Sequence, residues 1–498
     1  MGTILRKTQA YYESFADSDV FIILIMAVGT LGFVFQRELE AILVIGAVSV
    51  VNLLLVRNIL PVFHALGVIG LIPLQRYGEV EYFVPLYKIF EPFLGESVQE
   101  IIASVEVGTF MYAASVFVVF GIILAPLVRW FTLPARVRIG RFFYPTTFVA
   151  LAVTLGGLGH LGLAEYFSGP ALYYVFFLGI GMIIIYFYIE AYLPTTKQAV
   201  LQLAKMLSAL GLMAIFMALH MAFVHYEALM EDGLQRLFQF RNILSNSVLI
   251  TMPFAFYLAL RTQRTFLFIL LGVLQYLVLL FSFSRGGIVF GTLAFALLVP
   301  ATIWLARGKR LLVTLSFVVL FGGIYLSVDR FLIPAGEAVE AIQERVVYDE
   351  DESRVQMFYL ALERFQERPL FGTGIAEEVE PYSPQPMAME WYHSTVSEVL
   401  GSLGLLGVAA YLYQEGVRLF TFFEKPNRFN VYGFLALVGF GGYSLVNVGY
   451  FAPLPSVATL LYLFVITERH NRLIETDATT REAERLPLPF SNDKPEQE

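Results

Sequence analysis

The feature of this sequence that most constrains its fold is the recurrence of continuous apolar blocks of 16 to 25 residues, such as the block from Ala41 to Val56. Each block is about long enough to cross roughly 30 Å of hydrocarbon as a helix. A membrane β-barrel would instead alternate apolar and polar residues along strands of about ten residues. Because lipid admits only helices and closed barrels, the blocks predict transmembrane helices.

Composition narrows the function classes. Of the 498 residues, 57% are hydrophobic and 15% are charged, whereas a soluble chain has about a quarter charged residues. This balance excludes a soluble enzyme, a nucleic-acid-binding protein and a disordered scaffold. The chain has no cysteine, which excludes disulfides, thiol chemistry and cysteine metal sites. We therefore predict an all-α integral membrane protein, a polytopic helical bundle of about 12–14 transmembrane helices.

The distribution of Lys and Arg predicts the orientation of the bundle. With a cytoplasmic N-terminus, the inner loops carry 16 basic residues, Arg418 among them, and the short outer loops carry six. Positive charge accumulates on cytoplasmic loops, so both termini are expected in the cytoplasm. The chain divides into N-terminal transmembrane helices (1–241), a core that includes a large outer loop (242–467) and a disordered cytoplasmic tail (468–498).

The large outer loop spans residues 329–392 and holds 14 acidic and 5 basic residues. Within it, the segment from Glu352 to Pro369 has apolar residues at helical spacing, which predicts an amphipathic helix. Ser353 is the expected N-cap, and Pro369 with the glycines that follow is expected to end the helix. Such a helix docks on the span ends or lies at the lipid interface. Its apolar face consists of Val355, Phe358, Tyr359, Leu362 and Phe365.

The first candidate for chemistry is Arg285, in the short outer hairpin from Phe281 to Gly287. An arginine near the end of a membrane span commonly extends its side chain to the membrane–water interface and is then only structural. A guanidinium at headgroup depth also suits a phosphate group, which it binds through two hydrogen bonds. Gly286 and Gly287 would let a ligand approach the backbone, and the N-terminus of the following helix adds partial positive charge.

The second candidate is His393-Ser394, where the outer loop meets the next span. A histidine at an interface is commonly an ordinary surface or capping residue. An imidazole, with an unperturbed pKa of about 6.5, is also the usual proton acceptor near neutral pH. Glu398 lies inside the span, where burial of a carboxylate costs free energy and the carboxylate usually pairs with another polar or charged group. It is expected either to orient the histidine or to pair with an arginine.

Both candidates belong to an ordered series of short motifs. Ser-Arg-Gly-Gly at 284–287 precedes the outer loop, and His393-Ser394 follows it. After nine intervening residues stand Gly404-Leu-Leu-Gly407. Earlier in the chain, the segment from Asn242 to Asn246 opens a span that contains Pro253.

This series resembles the O-antigen ligase/polymerase family over about residues 242–411. His393-Ser394 and the glycines after it fit the family's ligase pattern of His-Asn/Ser/Gln, nine residues and Gly-X-X-Gly. The segment from Arg354 to Gly374 resembles the family's block R…W…AL…F…NPLFGVG, with Phe358 where Trp is more usual. The asparagine-bearing span start is similar to that of the family as well.

The resemblance implies a metal-independent, inverting membrane glycosyltransferase without a cofactor. It would transfer or polymerise glycan from an undecaprenyl-diphosphate carrier to an acceptor hydroxyl, on the outer face of the bacterial cytoplasmic (inner) membrane. Arg285 would bind the diphosphate and stabilise the leaving group, with further positive charge from Arg354 and Arg241. His393 would act as general base. The supporting residues are Ser394, Glu398 and Gly286.

The resemblance also implies the partners. The donor is an undecaprenyl-diphosphate-linked glycan, and the acceptor is a glycan or a lipid-linked molecule. The lipid bilayer surrounds the protein, a chain-length regulator is a further expected partner, and no nucleic acid is expected.

Two other functions suit a chain with many spans. A flippase or other transporter for lipid-linked oligosaccharides is the main alternative, although it usually has internal repeats and ionisable residues near the midplane. A peptidoglycan polymerase of the shape, elongation, division and sporulation class also has an acidic outer loop, but it relies on a loop aspartate. Within the resembled family, ligase and polymerase share these motifs, and both stay open at this point.

Overall fold

The structure of the chain is a computed structural model that describes residues 2–72, 137, 139–157, 175–193, 199–224, 240–282, 284–331, 352–375, 392, 394–447, 449–451, 454–477, 480, 484 and 486. Helix makes up 86% of the structure, and the described residues contain no strand. The predicted all-α class is therefore confirmed.

Fifteen α-helices are described, and two short segments of other helical types accompany them. A π-helical segment, Val175–Gly181, leads into α6, and a 3-10 turn, Gly449–Phe451, follows α14. The α-helices are α1 Gly2–Ala16, α2 Asp19–Val34, α3 Glu38–Leu55, α4 Leu60–Leu71, α5 Phe143–Gly157, α6 Met182–Tyr192, α7 Ala199–Val224, α8 Phe240–Arg261, α9 Thr265–Phe281, α10 Arg285–Leu305, α11 Lys309–Phe331, α12 Glu352–Glu367, α13 Thr395–Glu424, α14 Arg428–Leu445 and α15 Leu454–Thr476.

Four of the described helices are long and apolar enough to cross a membrane, within α7, α8, α10 and α13. The helix pair α1 and α2, bent by 67°, counts as a fifth if it is taken as one span, and shorter apolar helices occur between them. The chain is therefore a multi-pass membrane protein. The count of 12–14 spans and the orientation stay predictions.

Helix α8 lies at the centre of the described bundle. It contacts α4, α7, α9, α10 and α14. Of its most apolar stretch of 18 residues, 89% is buried inside the protein. For α10 the buried share is only 28%. Large apolar side chains that the bundle does not cover, such as Val289 and Leu293 on α10, suit a surface that faces lipid.

Polar side chains mark where several helices begin. Ser18, Ser284, Ser394 and Asn427 each accept a hydrogen bond from a backbone N–H in the first turn of the helix that follows. An N-cap of this kind satisfies one of the donors that a helix start leaves unpaired. The sequence therefore encodes the starts of α2, α10, α13 and α14 locally.

Helix α12 confirms the helix predicted after residue 352, with a different contact face. It packs on Tyr392 through Ala361, with Met357 and Leu360 beside it. Phe358 and Tyr359 of the predicted apolar face are 43% and 65% exposed. The helix begins at Glu352, so the prediction that the next residue, a serine, is the N-cap is wrong.

Arg418 does not lie in an inner loop, as its place in the charge count assumed. It is buried within α13, pairs with Glu415 one turn earlier, and has its guanidinium carbon 4.7 Å and 4.8 Å from the ring centres of Tyr450 and Phe464. Aromatic faces attract such a cation. These contacts make a charge in a helix interior tolerable.

The tail expected to be disordered from residue 468 is ordered over its described part. Helix α15 continues to Thr476. Beyond it, the buried carboxylate of Glu484 accepts hydrogen bonds from the Tyr257 hydroxyl at 2.8 Å and the Phe429 N–H at 3.2 Å. Arg261 Nε lies 3.4 Å from the same carboxylate. Burial raises the pKa of Glu484, and Arg261 opposes that rise. Composition alone could not predict a carboxylate that joins α8 to α14.

Replacing Glu484 by Ala should destabilise the protein. The hydroxyl of Tyr257 and the N–H of Phe429 would lose their buried acceptor, at a cost of about 1–3 kcal/mol. Thermal unfolding of the detergent-solubilised protein measures the change. Glu475→Gln is the matched control, because Glu475 forms an exposed pair with Lys425 and its loss should leave the midpoint unchanged. Equal midpoints for wild type and Glu484→Ala would contradict the role of Glu484.

Candidate functional site

The hairpin between α9 and α10 is as short as predicted, and serines order it. The Ser282 hydroxyl donates to the Leu279 carbonyl at 2.7 Å and accepts from the Ser245 hydroxyl and the Ser284 N–H. The Ser284 hydroxyl accepts from the Gly287 N–H and caps α10. Arg285, partly exposed, is thus the first residue of α10. The positive end of the helix dipole adds to its charge.

The two glycines after Arg285 are used for helix packing. A Cβ on Gly286 would lie 2.8 Å from Val446 Cγ2 and 3.0 Å from Tyr443 Cδ2. A Cβ on Gly287 would lie 2.6 Å from the Ser245 hydroxyl. The space beside both residues is filled by α8 and the end of α14. The glycines let these helices approach the hairpin, which corrects the expectation that they open the backbone to a ligand.

The start of α13 is bonded to the end of α14. Ser394, the N-cap, donates its hydroxyl to the Leu445 carbonyl at 2.9 Å. The Thr395 N–H and hydroxyl both donate to the Asn447 carbonyl, at 3.1 Å and 3.3 Å. Three hydrogen bonds therefore hold the two residues that directly follow His393 against α14.

Glu398 is buried and binds the chain just before His393. One of its carboxylate oxygens accepts from the Tyr392 N–H at 3.3 Å, and the other accepts from the Ser402 hydroxyl at 2.8 Å. Among the described residues, these are the hydrogen-bond partners of its side chain. Glu398 therefore orders the backbone beside His393. An ion pair with an arginine, the other role expected for it, does not occur in the described part of the chain.

A chain of hydrogen bonds connects the start of α13 with the hairpin. The Asn447 side-chain amide donates to the Tyr443 hydroxyl at 2.7 Å, and that hydroxyl donates to the Asn242 carbonyl at 3.3 Å. The Asn242 side-chain oxygen accepts from the Ser284 hydroxyl at 3.2 Å. With the bonds of Thr395, this polar network links the two segments that carry the candidate residues.

Tyr443 and Asn447 were missed by sequence reasoning, although a signal was present. They lie four residues apart at the end of an apolar helix, which is the spacing of neighbours on one helix face. Polar side chains within such segments usually face the protein interior and find partners there. The same argument applied to Glu398 but was not extended to uncharged residues.

Helix α13 is broken at Gly404, and the loop after α12 fills the break. Gly404 has φ 63° and ψ −157°, outside the helical range. The Leu405 and Leu406 N–H groups donate to the carbonyls of Pro369 and Leu370, at 2.8 Å and 3.1 Å. The Thr373 and Gly374 N–H groups of the loop donate to the carbonyls of Gly401 and Ser402 in α13. We call these four hydrogen bonds the α12–α13 joint.

The α12–α13 joint explains two of the sequence motifs, because each motif supplies one side of it. The predicted Gly-X-X-Gly pattern contains the break, and the segment that ends the amphipathic helix supplies its partners. Gly372 has φ +72°, and a Cβ on it would lie 2.3 Å from the Ser402 carbonyl carbon. A Cβ on Gly404 would likewise crowd the loop, at 2.8 Å from Pro369 O. Glycine is therefore required at both positions by conformation and by space.

The predicted site residues are described to different extents. Arg285, Gly286, Ser394 and Glu398 all belong to the polar network or border it. His393 lies outside the described residues, between the described Tyr392 and Ser394. For two further arginines only the backbone is described. They are Arg241, the second residue of α8, and Arg354, in the first turn of α12. No group of three or more metal-ligating side chains occurs among the described residues.

Comparison with known families supports the resemblance found in the sequence. Residues 266–412 match a family model described as O-antigen ligase. The matched segment begins in α9 and ends in α13, so it contains the hairpin, α12 and the α12–α13 joint. Among curated proteins, none matches this chain.

Replacing Gly404 by Ala should disrupt the joint. An alanine would have to hold a backbone conformation that costs about 1–3 kcal/mol and would contact the loop backbone. Gly416→Ala is the matched control in the same helix, because nothing lies within 4 Å of a Cβ there. It should be neutral or stabilising by roughly 0.5–1 kcal/mol. Thermal unfolding separates the two, and equal midpoints would contradict the role assigned to Gly404.

Proposed function

We propose, from the premise that this chain is a member of the O-antigen ligase/polymerase family, that it is a membrane glycosyltransferase of surface polysaccharide biosynthesis. It would transfer or polymerise glycan from an undecaprenyl-diphosphate carrier to an acceptor hydroxyl, on the outer face of the bacterial inner membrane. The observation that carries the proposal is the polar network, because it joins the arginine-bearing hairpin to the helix start beside His393.

Arg285 is proposed to bind the diphosphate of the donor. It is the first residue of α10, so its guanidinium and the positive end of the helix dipole act on the same region. A guanidinium can donate two parallel hydrogen bonds to a phosphate group. As the bond to the sugar breaks, negative charge grows on the diphosphate, and a fixed positive charge stabilises it.

Two further arginines are proposed to add to this charge. Arg241 directly precedes Asn242, whose side chain accepts a hydrogen bond from the hairpin residue Ser284. Arg354 lies in the first turn of α12, the helix that packs on Tyr392. Both residues thus belong to elements that contact the polar network or the chain beside His393.

His393 is proposed as the general base. It takes the proton of the acceptor hydroxyl while the acceptor oxygen forms a bond to the anomeric carbon. The bond between that carbon and the carrier diphosphate breaks, and the diphosphate leaves with the electron pair. Attack opposite the leaving group inverts the anomeric centre. In this proposal no metal or cofactor takes part, the acceptor is a glycan or a lipid-linked molecule, and a chain-length regulator is a further partner.

Replacing Arg285 or His393 by Ala should abolish product while leaving insertion and folding intact. Loss of a general base costs about 10²–10⁴-fold in rate, and loss of a charge-stabilising group costs about 10²–10³-fold. The measurement is surface glycan in a deletion strain complemented with each variant. Arg264→Ala, at the opposite end of α9 from the hairpin, is the control and should restore glycan fully.

Two outcomes of that experiment are decisive. Full glycan assembly by the His393→Ala variant would show that His393 is not the base. Accumulation of lipid-linked units on the inner leaflet of the deletion strain would favour a flippase instead. The product also separates the two family activities. Loss of all attached polymer indicates a ligase, whereas surviving single repeat units indicate a polymerase.

A further inference from the structure

We infer that Tyr443 and Asn447 are positioning residues for this transfer reaction. They set the place of the hairpin that carries Arg285 relative to the start of α13 beside His393. The inference rests on the proposed function. It goes further by assigning a role to two residues that neither the motifs nor the matched segment includes, since residues 266–412 end before both.

Tyr443 is the centre of the connection. Its side chain is buried, with 2% exposed, and its ring lies against Gly286, the neighbour of Arg285. A tyrosine hydroxyl has one hydrogen to donate. The Asn242 carbonyl accepts that hydrogen, and the Asn447 amide donates to the same oxygen. The hydroxyl is therefore oriented from both sides.

Asn447 connects Tyr443 to the start of α13 through hydrogen bonds. Its carbonyl accepts both the N–H and the hydroxyl of Thr395, and its side chain binds Tyr443. A rotation of Asn447 would thus disturb the start of α13 and the hairpin together. The additional bond from Ser394 to the Leu445 carbonyl makes the end of α14 the common support of both segments.

The rest of α14 packs on α10 and α8 through contacts that do not belong to this network. At the other end of the helix, Tyr432 is fully buried and shares a hydrogen bond with Thr302 at 2.9 Å. In the middle, Gly439 lies close to Ala294 and Leu249. Tyr432 and Tyr443 are therefore two buried tyrosines of one helix, each with a hydroxyl in hydrogen bonds. Only Tyr443 contacts the candidate site.

The positioning role predicts a specific kinetic defect. Without the Tyr443 hydroxyl, the Asn447 amide and the Asn242 carbonyl lose their shared partner, so the hydrogen-bonded link between the hairpin and α13 is broken. A displacement of about 1 Å between reacting groups can cost about 10²-fold in rate. Binding of the long donor depends on many contacts and should change little. The expected effect is on kcat and not on KM.

The test compares Tyr443→Phe and Asn447→Ala with the control Tyr432→Phe in the full-length protein in proteoliposomes. The donor is the undecaprenyl-diphosphate-linked glycan extracted from membranes of the host strain. Both positioning variants should lower kcat about ten- to a hundredfold with KM within twofold, whereas Tyr432→Phe should stay within twofold in both constants. A similar loss of kcat in all three variants, or a change confined to KM, would overturn the inference.

A distance measurement provides a readout independent of activity. Because the chain has no cysteine, Val289→Cys on α10 and Val396→Cys on α13 allow two spin labels to be attached. Both positions are about half exposed, at 49% and 50%. Tyr443→Phe and Asn447→Ala should shift or broaden the distance distribution between the labels, and Tyr432→Phe should leave it unchanged.

The two readouts separate the inference from the proposed function. An unchanged distance distribution in both positioning variants would overturn the inference whatever the activity. Wild-type protein that inserts normally but transfers no glycan would contradict the proposed function, while the distances would still report whether Tyr443 and Asn447 hold the two segments together. Asn447→Ala also covers the case in which Tyr443→Phe fails to fold.

Discussion

The described structure depends on one constraint: backbone groups inside the bilayer must be paired by the protein, because hydrocarbon offers no hydrogen-bond partner. The break of α13 at Gly404 leaves N–H and carbonyl groups within a candidate membrane span without their helical partners. The loop after α12 pairs with four of these groups. Helix α12 is therefore held against α13 at a defined position, and it packs in turn on Tyr392 beside His393.

The same constraint accounts for the composition of the candidate site, which is built from helix ends. Serines cap α10 and α13, the hydroxyl of Ser282 bonds to the hairpin and to Ser245 of α8, and Tyr443 with Asn447 connects the two starts. A site at helix ends combines a partly exposed arginine with a rigid, buried support. That combination suits the proposed transfer, in which a charged donor is held while a proton is removed nearby.

Sequence reasoning predicted the features that depend on neighbours along the chain. The helical membrane class, the short hairpin before Arg285 and the existence of α12 follow from periodicity, caps and breakers. Reasoning from composition failed for the tail, where Glu484 pairs with Tyr257 and Phe429. The charge distribution along the chain placed Arg418 in a loop. It is buried instead, because two aromatic rings and a carboxylate contact its guanidinium group. Periodicity indicated that α12 has an apolar face, but the contact face depends on Tyr392 and on α13.

The amino-acid sequence alone predicts a bundle of membrane helices, and it places the candidate chemistry in an arginine-bearing hairpin, an amphipathic helix and a histidine before a glycine-containing span. These properties are local, since a hydrophobic run, a cap or a spacing is read within one segment. The packed structure was needed to show that α12 and α13 form a joint, that Gly286 is used for helix packing and that Tyr443 connects the hairpin with the start of α13. Those contacts join residues as far apart as Asn242 and Tyr443, 201 positions along the chain, and no local pattern specifies which distant partner completes a hydrogen bond.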